Sequence, residues 1–225
     1  MNQLIIAIDG PSGAGKSTLA KRLAKDLGFT YLDTGAMYRA LALKILHTRT
    51  DLADEPALKT LVANTEINLV ERSGSLLVFL DGVEVSDMIR TPEVSQMASK
   101  ASAVKIVRER MLELQRKAGH KGKVVAEGRD IGTVVFPEAE VKIFLNASVD
   151  ERARRRFEEL RAAGRKVTIE ETLREMNERD KRDSERDLAP LCKAADAVTI
   201  DNSLLSVSEV AKRALEQVRK RSLQI

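Results

Sequence analysis

Short β-branched runs alternate along the chain with longer stretches of helical spacing. Leu4-Ile5-Ile6-Ala7-Ile8 is the first run, closed by Asp9 and Gly10, and it predicts a buried parallel strand. Leu19, Leu23 and Leu27 then recur at four-residue spacing with Ala20 and Ala24 beside them, and Gly28 supplies the left-handed stop of a helix. Thr30-Tyr31-Leu32 predicts a second strand, followed by an apolar helical run through Leu46. Val124-Val125-Ala126, Val141 to Leu145 and Ala197 to Ile200 predict three more buried strands, each followed by helical pattern. Such alternation implies an α/β fold with a parallel sheet and helices on both faces. Ser148-x-x-Glu151, Thr168-x-x-Glu171 and Ser206-x-x-Glu209 are capping-box signatures that place helix starts at about 149, 169 and 207, with Gly164 separating the first two.

Asn64 to Asp87 departs from this rhythm. Ile67 to Val70, Leu76 to Leu80 and Val83 to Val85 are β-type runs separated by Ser73-Gly74 and by Asp81-Gly82, the latter a strong two-residue hairpin signal. The pattern predicts a small antiparallel meander inserted in the α/β chain. A helix-rich stretch from Thr91 to about Lys117 follows and holds Ser99 and Arg108.

The 225 residues suffice for one full α/β core with room for a smaller inserted unit. Hydrophobic content of 43% and charged content of 32% fit a globular protein, and no apolar run approaches a membrane span of about 18 residues. The start of the chain lacks the basic and apolar regions of a signal peptide, and Cys192 is the single cysteine, so a cytoplasmic protein without membrane partners is expected. His47 and His120 give no metal-ligand cluster. A net charge of +4 suggests an anionic partner without separating nucleic acid from nucleotides.

Chemistry enters at Gly10 to Ser17, which matches Gly-x-x-x-x-Gly-Lys-Ser/Thr between a predicted strand and a predicted helix. In such a loop glycines allow successive N–H groups to converge on phosphate, the lysine reaches the β- and γ-phosphates, and the hydroxyl of Ser17 ligates Mg²⁺. A flexible turn between two core elements is the plain alternative. In an open α/β sheet ligands sit beyond the carboxyl ends of the strands, which singles out Asp33 and Arg39, Glu127-Gly128-Arg129-Asp130, and the Arg152 to Arg156 segment. Arg152 and Arg156 form a like-charge i,i+4 pair that polyphosphate would compensate, while Arg154 with Glu158 and Arg155 with Glu159 describe an ordinary solvated face. Arg179, Asp183 and Arg186 share one helical face, with Asp180 and Arg182 off it; surface pairing such as Glu175 with Arg179 is the alternative.

These segments together resemble a known family. Gly10 to Ser17, Asp33-Thr34-Gly35-Ala36-Met37-Tyr38-Arg39, Glu127 to Pro137, the Arg179-Asp180-x-x-Asp183-x-x-Arg186 helix and Ala189-Pro190-Leu191 are similar to bacterial cytidylate kinase, a P-loop nucleoside monophosphate kinase. The resemblance spans nearly the whole chain and implies a parallel five-stranded core (1–33, 119–151 and 167–225), a monophosphate-binding lobe with the small antiparallel sheet (34–118) and a short lid (152–166). It implies phosphorylation of CMP and dCMP by ATP with Mg²⁺, in a monomer with no nucleic-acid partner. ATP is then held by Gly10, Pro11, Ser12, Gly13, Ala14, Gly15, Lys16, Ser17 and Thr18, and magnesium by Ser17. Ser99, Arg108 and Asp130 hold cytosine with Thr34 nearby, Arg39 and Arg129 the monophosphate, Arg179 and Asp183 the ribose, and Arg186 the phosphates in flight. Lys16, Arg129 and Arg186 are the catalytic cations. Asp9, Asp33 and Glu127 are candidates for an acidic magnesium residue.

Two other readings stand beside this one. Another small P-loop kinase would use a different acceptor, and a basic nucleotide-regulated protein would contact RNA through the Arg152 to Arg156 run. An aromatic content of 3% argues against single-strand stacking platforms.

Overall fold

The computed structural model describes residues 4–72 and 75–222. The strands in chain order are β1 (Ile5–Asp9), β2 (Thr30–Asp33), β3 (Ile67–Arg72), β4 (Ser75–Leu80), β5 (Val83–Glu84), β6 (Val124–Gly128), β7 (Val141–Asn146) and β8 (Val198–Asp201). The helices are α1 (Lys16–Leu27), α2 (Thr34–Thr48), α3 (Glu55–Ala63), α4 (Pro92–Ala101), α5 (Lys105–Gly119), α6 (Val149–Ala162), α7 (Ile169–Glu185) and α8 (Val207–Ser222), with a π-helix at Ile131–Val135. Residues 33–118 form one compact unit, and the chain on either side of them forms the other.

In the larger unit the five-stranded sheet has the order β2-β6-β1-β7-β8. β1 is central and pairs in parallel with β6 on one side and β7 on the other. Ile6, Ala7 and Ile8 are completely buried, as the apolar run predicts, and each isoleucine contributes about 1.5–3 kcal/mol. Gly28 ends α1 at φ 66°, its N–H returning to Ala24 and Lys25 carbonyls. β8 corrects the expectation of a fifth buried strand. It pairs with β7 at the end of the sheet order, and Val198 is 40% exposed while Ile200 is buried.

All three capping boxes start helices where expected, at Val149, Ile169 and Val207. The Thr168 box is reciprocal, and so is that of Ser206 with Glu209. At Ser148 only the hydroxyl arm forms, because the Glu151 carboxylate is taken by Arg154 and Arg155.

The smaller unit builds on α2, whose Met37, Leu41 and Ile45 are buried and which packs on α4 and β4. β3, β4 and β5 form the expected antiparallel meander. Asp81 and Gly82, at φ 50° and 81°, are the two left-handed positions of a hairpin turn; the Ser73-Gly74 turn lies outside the described residues. The helix-rich stretch is two helices, because the N–H groups of Ala103 and Val104 bond three residues back, to the Lys100 and Ala101 carbonyls, and interrupt the helical ladder. Sequence pattern did not give α3, whose start is marked by the Asp54 cap and Pro56.

Candidate active site

β1 delivers the chain into Gly10–Ser17 with no room for a side chain at its end. A Cβ on Gly10 (φ 152°) would lie 2.0 Å from the Leu145 carbonyl of β7, so strand packing itself demands glycine there. Gly15 is left-handed at φ 88°, and α1 begins at Lys16. The Lys16 side chain is buried, and its ammonium donates to Pro11 O at 2.7 Å. Burial first, and then the Arg129 cation, hold Lys16 well below the ordinary lysine range, against the opposing pull of Glu127 and Asp180. A polyanion brought to this ammonium would find a cation short of counter-charge. Ser17 and Thr18 are exposed in the first turn of α1.

Asp9, opposite Gly128 in the β1–β6 register, reaches into the next loop. Its Oδ1 accepts from Ile131 N and its Oδ2 from Gly132 N, both at 2.8 Å, which fixes the entry to the π-helix directly after Arg129 and Asp130. Burial raises the Asp9 carboxyl from 3.8 to about 6 despite these two bonds. Glu127, also buried, accepts from Tyr31 Oη at 2.5 Å. Asp33 caps α2 through Ala36 N at 2.7 Å and pairs with Arg39 at 3.2 Å. Each of the three candidate acidic magnesium residues therefore holds protein partners.

The arginines of the larger unit are aimed by carboxylates. Arg129 Nε lies 3.0 Å from Asp183 Oδ2, and Arg179 Nε lies 3.8 Å from the same oxygen. Arg186 falls just past the end of α7 rather than on its body, so the shared helical face holds for Arg179 and Asp183 and gives way at the cap. Its Nε donates to Ala189 O at 2.8 Å and its Nη2 reaches Asp130 Oδ1 at 3.5 Å. Ala189 adopts a left-handed φ of 49° immediately before Pro190, a strained turn that presents this carbonyl to Arg186.

The Arg152 to Arg156 run does not form a free cationic face. Arg152 is buried and bonds Ser12 O, Ala147 O and Asp180. Arg155 holds Asn202 through Oδ1 at 2.9 Å and O at 3.0 Å, while Asn202 Nδ2 donates to Ala14 O at 2.7 Å. Arg154 pairs with Glu158 as spacing suggests. Arg155 takes Glu151 instead of Glu159, which goes to Arg156. Sequence reasoning placed Asp180 off the Arg179–Asp183 face without giving it a role and did not single out Asn202, which was marked only by its place just after β8.

In the smaller unit Thr34 is buried at the start of α2. The Arg108 guanidinium lies over the Tyr38 ring, 6.0 Å from its centre, and donates to Ser102 O at 3.1 Å. The Ser102 hydroxyl donates to the carbonyl of buried Ser99 at 2.8 Å. Tyr38, Ser99, Ser102 and Arg108 are thus one linked group, to which Tyr38 and Ser102 are additions. A cleft of about 920 Å³ between α6 and α7, lined by Ala153, Arg154, Phe157, Ile169 and Leu173, takes in Arg154 of the arginine run and none of the residues expected to hold ATP or the acceptor.

A family model described as cytidylate kinase matches residues 6–220. The cytidylate kinase of Pelotomaculum thermopropionicum is 54% identical over 214 residues, covering 95% of this chain and 95% of that protein. That of Carboxydothermus hydrogenoformans is 51% identical over 217 residues, covering 96% and 98%. An uncharacterized protein from Eubacterium ventriosum, covering 97% of this chain and 99% of that one, has a TM-score of 0.51 at 16% identity, a likeness of fold alone.

Proposed function

The chain belongs to the cytidylate kinase family, and from that premise we propose a role for each of its site residues. It is a kinase that phosphorylates CMP and dCMP at the expense of ATP. The reading is carried by one observation: the larger unit gathers a glycine loop with a buried lysine and three arginines whose guanidiniums are oriented by the buried carboxylates Asp183 and Asp130.

Phosphoryl transfer needs little covalent help from protein, so rate comes from positioning and from charge placed where the transition state develops it. We assign Gly10 to Thr18 to ATP, with Lys16 neutralising the transferring group. Arg129 and Arg39 offer planar forks to the acceptor monophosphate, and Arg186 acts on the phosphates in flight. Arg179 and Asp183 read the sugar. Ser99, Arg108 and Asp130 read cytosine, with Thr34 beside them. Residues 34–118 then form the monophosphate-binding lobe and 152–166 the lid of a core made from 1–33, 119–151 and 167–225.

Ser17 suits magnesium: its exposed hydroxyl is a hard oxygen donor in the first turn of α1, and the described residues contain no group of three or more acidic, cysteine or histidine side chains to hold the ion alone. In such sites Mg²⁺ keeps several waters and is shared between few protein oxygens and the nucleotide phosphates. Mg²⁺ held there would supply positive charge to the nucleotide phosphates.

The assignment brings with it a cytoplasmic monomer that works on small nucleotides and neither on nucleic acid nor at a membrane. Pairing of Arg152, Arg154, Arg155 and Arg156 to carboxylates of α6 and α7 favours it over an RNA-contacting surface. Coupled ADP release with each nucleoside monophosphate tests the whole reading. Stimulation by CMP and dCMP is expected; stimulation by another acceptor alone would transfer the assignment to a different P-loop kinase.

A further inference from the structure

The main chain of Ser12 is held at both its N–H and its carbonyl by side chains from outside the loop. The N–H donates to Asp180 Oδ1 at 3.0 Å, and the carbonyl accepts from Arg152 Nη1 at 2.8 Å. These two side chains are ion-paired with each other, and Arg152 Nε is tied to Ala147 O at 3.2 Å. The Arg152 side chain is 7% exposed, so the pair is no solvated surface contact, and removing one partner leaves the other buried and uncompensated. Space closes around the next residue too. A Cβ on Gly13 would lie 2.8 Å from Arg152 O and 3.0 Å from Met176 Cε. The outer turn of the loop is wedged between the first turn of α6 and the middle of α7.

We propose that Asp180 and Arg152 are positioning residues for the phosphate loop, which fix the Ser12–Gly13 turn so that the N–H groups further along face the triphosphate. This rests on the reading of Gly10 to Ser17 as the ATP cradle. Asp180 does not touch the nucleotide; it acts through the Ser12 N–H that it occupies. The arrangement makes ATP affinity depend on α7, a helix whose nearby Asp183 is turned to Arg129 and Arg179 instead.

Two variants test the proposal. Asp180→Asn keeps an acceptor for the Ser12 N–H and removes the charge that holds Arg152. Arg152→Lys keeps the charge and loses the fork that spans Ser12 O and Ala147 O. The measurements are the affinity for a non-hydrolysable ATP analogue by calorimetry, separate KM values for ATP and CMP, and thermal melting. Loss of a charge-assisted bond predicts a rise of about tenfold or more in analogue Kd and KM for ATP, with KM for CMP within about twofold of wild type. A purely structural role would lower the melting temperature without splitting the two KM values. ATP affinity within about twofold of wild type in Arg152→Lys, or equal rises in both KM values, would overturn the proposal. Should Asp180→Asn fail to fold, Arg152→Lys decides alone. Analogue binding needs no acceptor, so failure of the cytidylate reading would show separately, as wild-type protein that binds the analogue and leaves CMP unphosphorylated.

Discussion

Arg129 and Asp183, separated by 54 positions in the chain, meet with Nε 3.0 Å from Oδ2. The Asp183 side chain is 4% exposed and that of Arg129 14%, so each depends on the other for its charge balance. The same carboxylate draws Arg179 from one turn away.

Asp183→Ala is therefore expected to do two things at once. It strands Arg129 and destabilises the fold by about 3 kcal/mol, the lower end for a broken buried pair because Arg129 retains some solvent. It also weakens CMP binding while leaving the preference for cytosine intact. Urea unfolding and CMP titration of one preparation check both, and a stability loss under about 1 kcal/mol would show that Arg129 finds another partner.

Lys16→Met separates stability from turnover. Removing a transition-state charge is expected to lower kcat by at least about a hundredfold. The fold should gain stability near neutral pH, because the native state penalises this ammonium. The sign follows from linkage: a lysine whose folded pKa is depressed contributes stability at high pH that is lost as pH falls through the folded pKa. The advantage of the methionine variant should accordingly shrink toward pH 10, as read from melting curves across pH.

Much of this was legible in the chain. The strand, loop and helix around Gly10 to Ser17 follow from apolar runs and glycine placement, and the three helix starts follow from Ser148, Thr168 and Ser206. The role of Asp180 was not legible. Helical spacing places it off the Arg179–Asp183 face, and nothing in spacing reveals that the other face meets Ser12. Exposure of β8 was hidden for a related reason, since Ala197 to Ile200 is apolar enough for a central strand and only the sheet order makes it an edge. The π-helix after Asp130 depends on two N–H groups finding Asp9, a contact between residues more than a hundred positions apart.

Asp9 gives a pH test of its own. Its carboxyl is raised from 3.8 to about 6 in the fold, so its contribution is present in full below pH 3.8 and is lost as pH rises through 6. Relative to Asp9→Asn, wild type should lose stability as pH rises from 3.8 to about 6, the interval between the ordinary and the raised value. Parallel stability–pH curves for the two proteins would show that the carboxyl titrates normally.

Base choice tests Asp130. Cytosine offers an N4 donor and an N3 acceptor, and uracil inverts both. Under the proposed assignment, UMP would set a carbonyl against Asp130 and an N–H against Arg108, so each mismatch would leave a polar group unpaired at about 1–3 kcal/mol. CMP is expected to exceed UMP by at least about two orders of magnitude in kcat/KM on that per-group cost. Asp130→Ala should shrink the ratio mainly by losing CMP activity, and full retention of the preference would remove Asp130 from base recognition.

The two oxygens of Asp9 also set a tolerance. One strand end, Asp9-Gly10, is the datum for the loop that bears Lys16 and, through Ile131 and Gly132, for the loop that bears Arg129 and Asp130. A displacement of β1 then carries the roots of both loops together, and what remains independent is the Arg129 fork, which has a second anchor at Asp183 on α7.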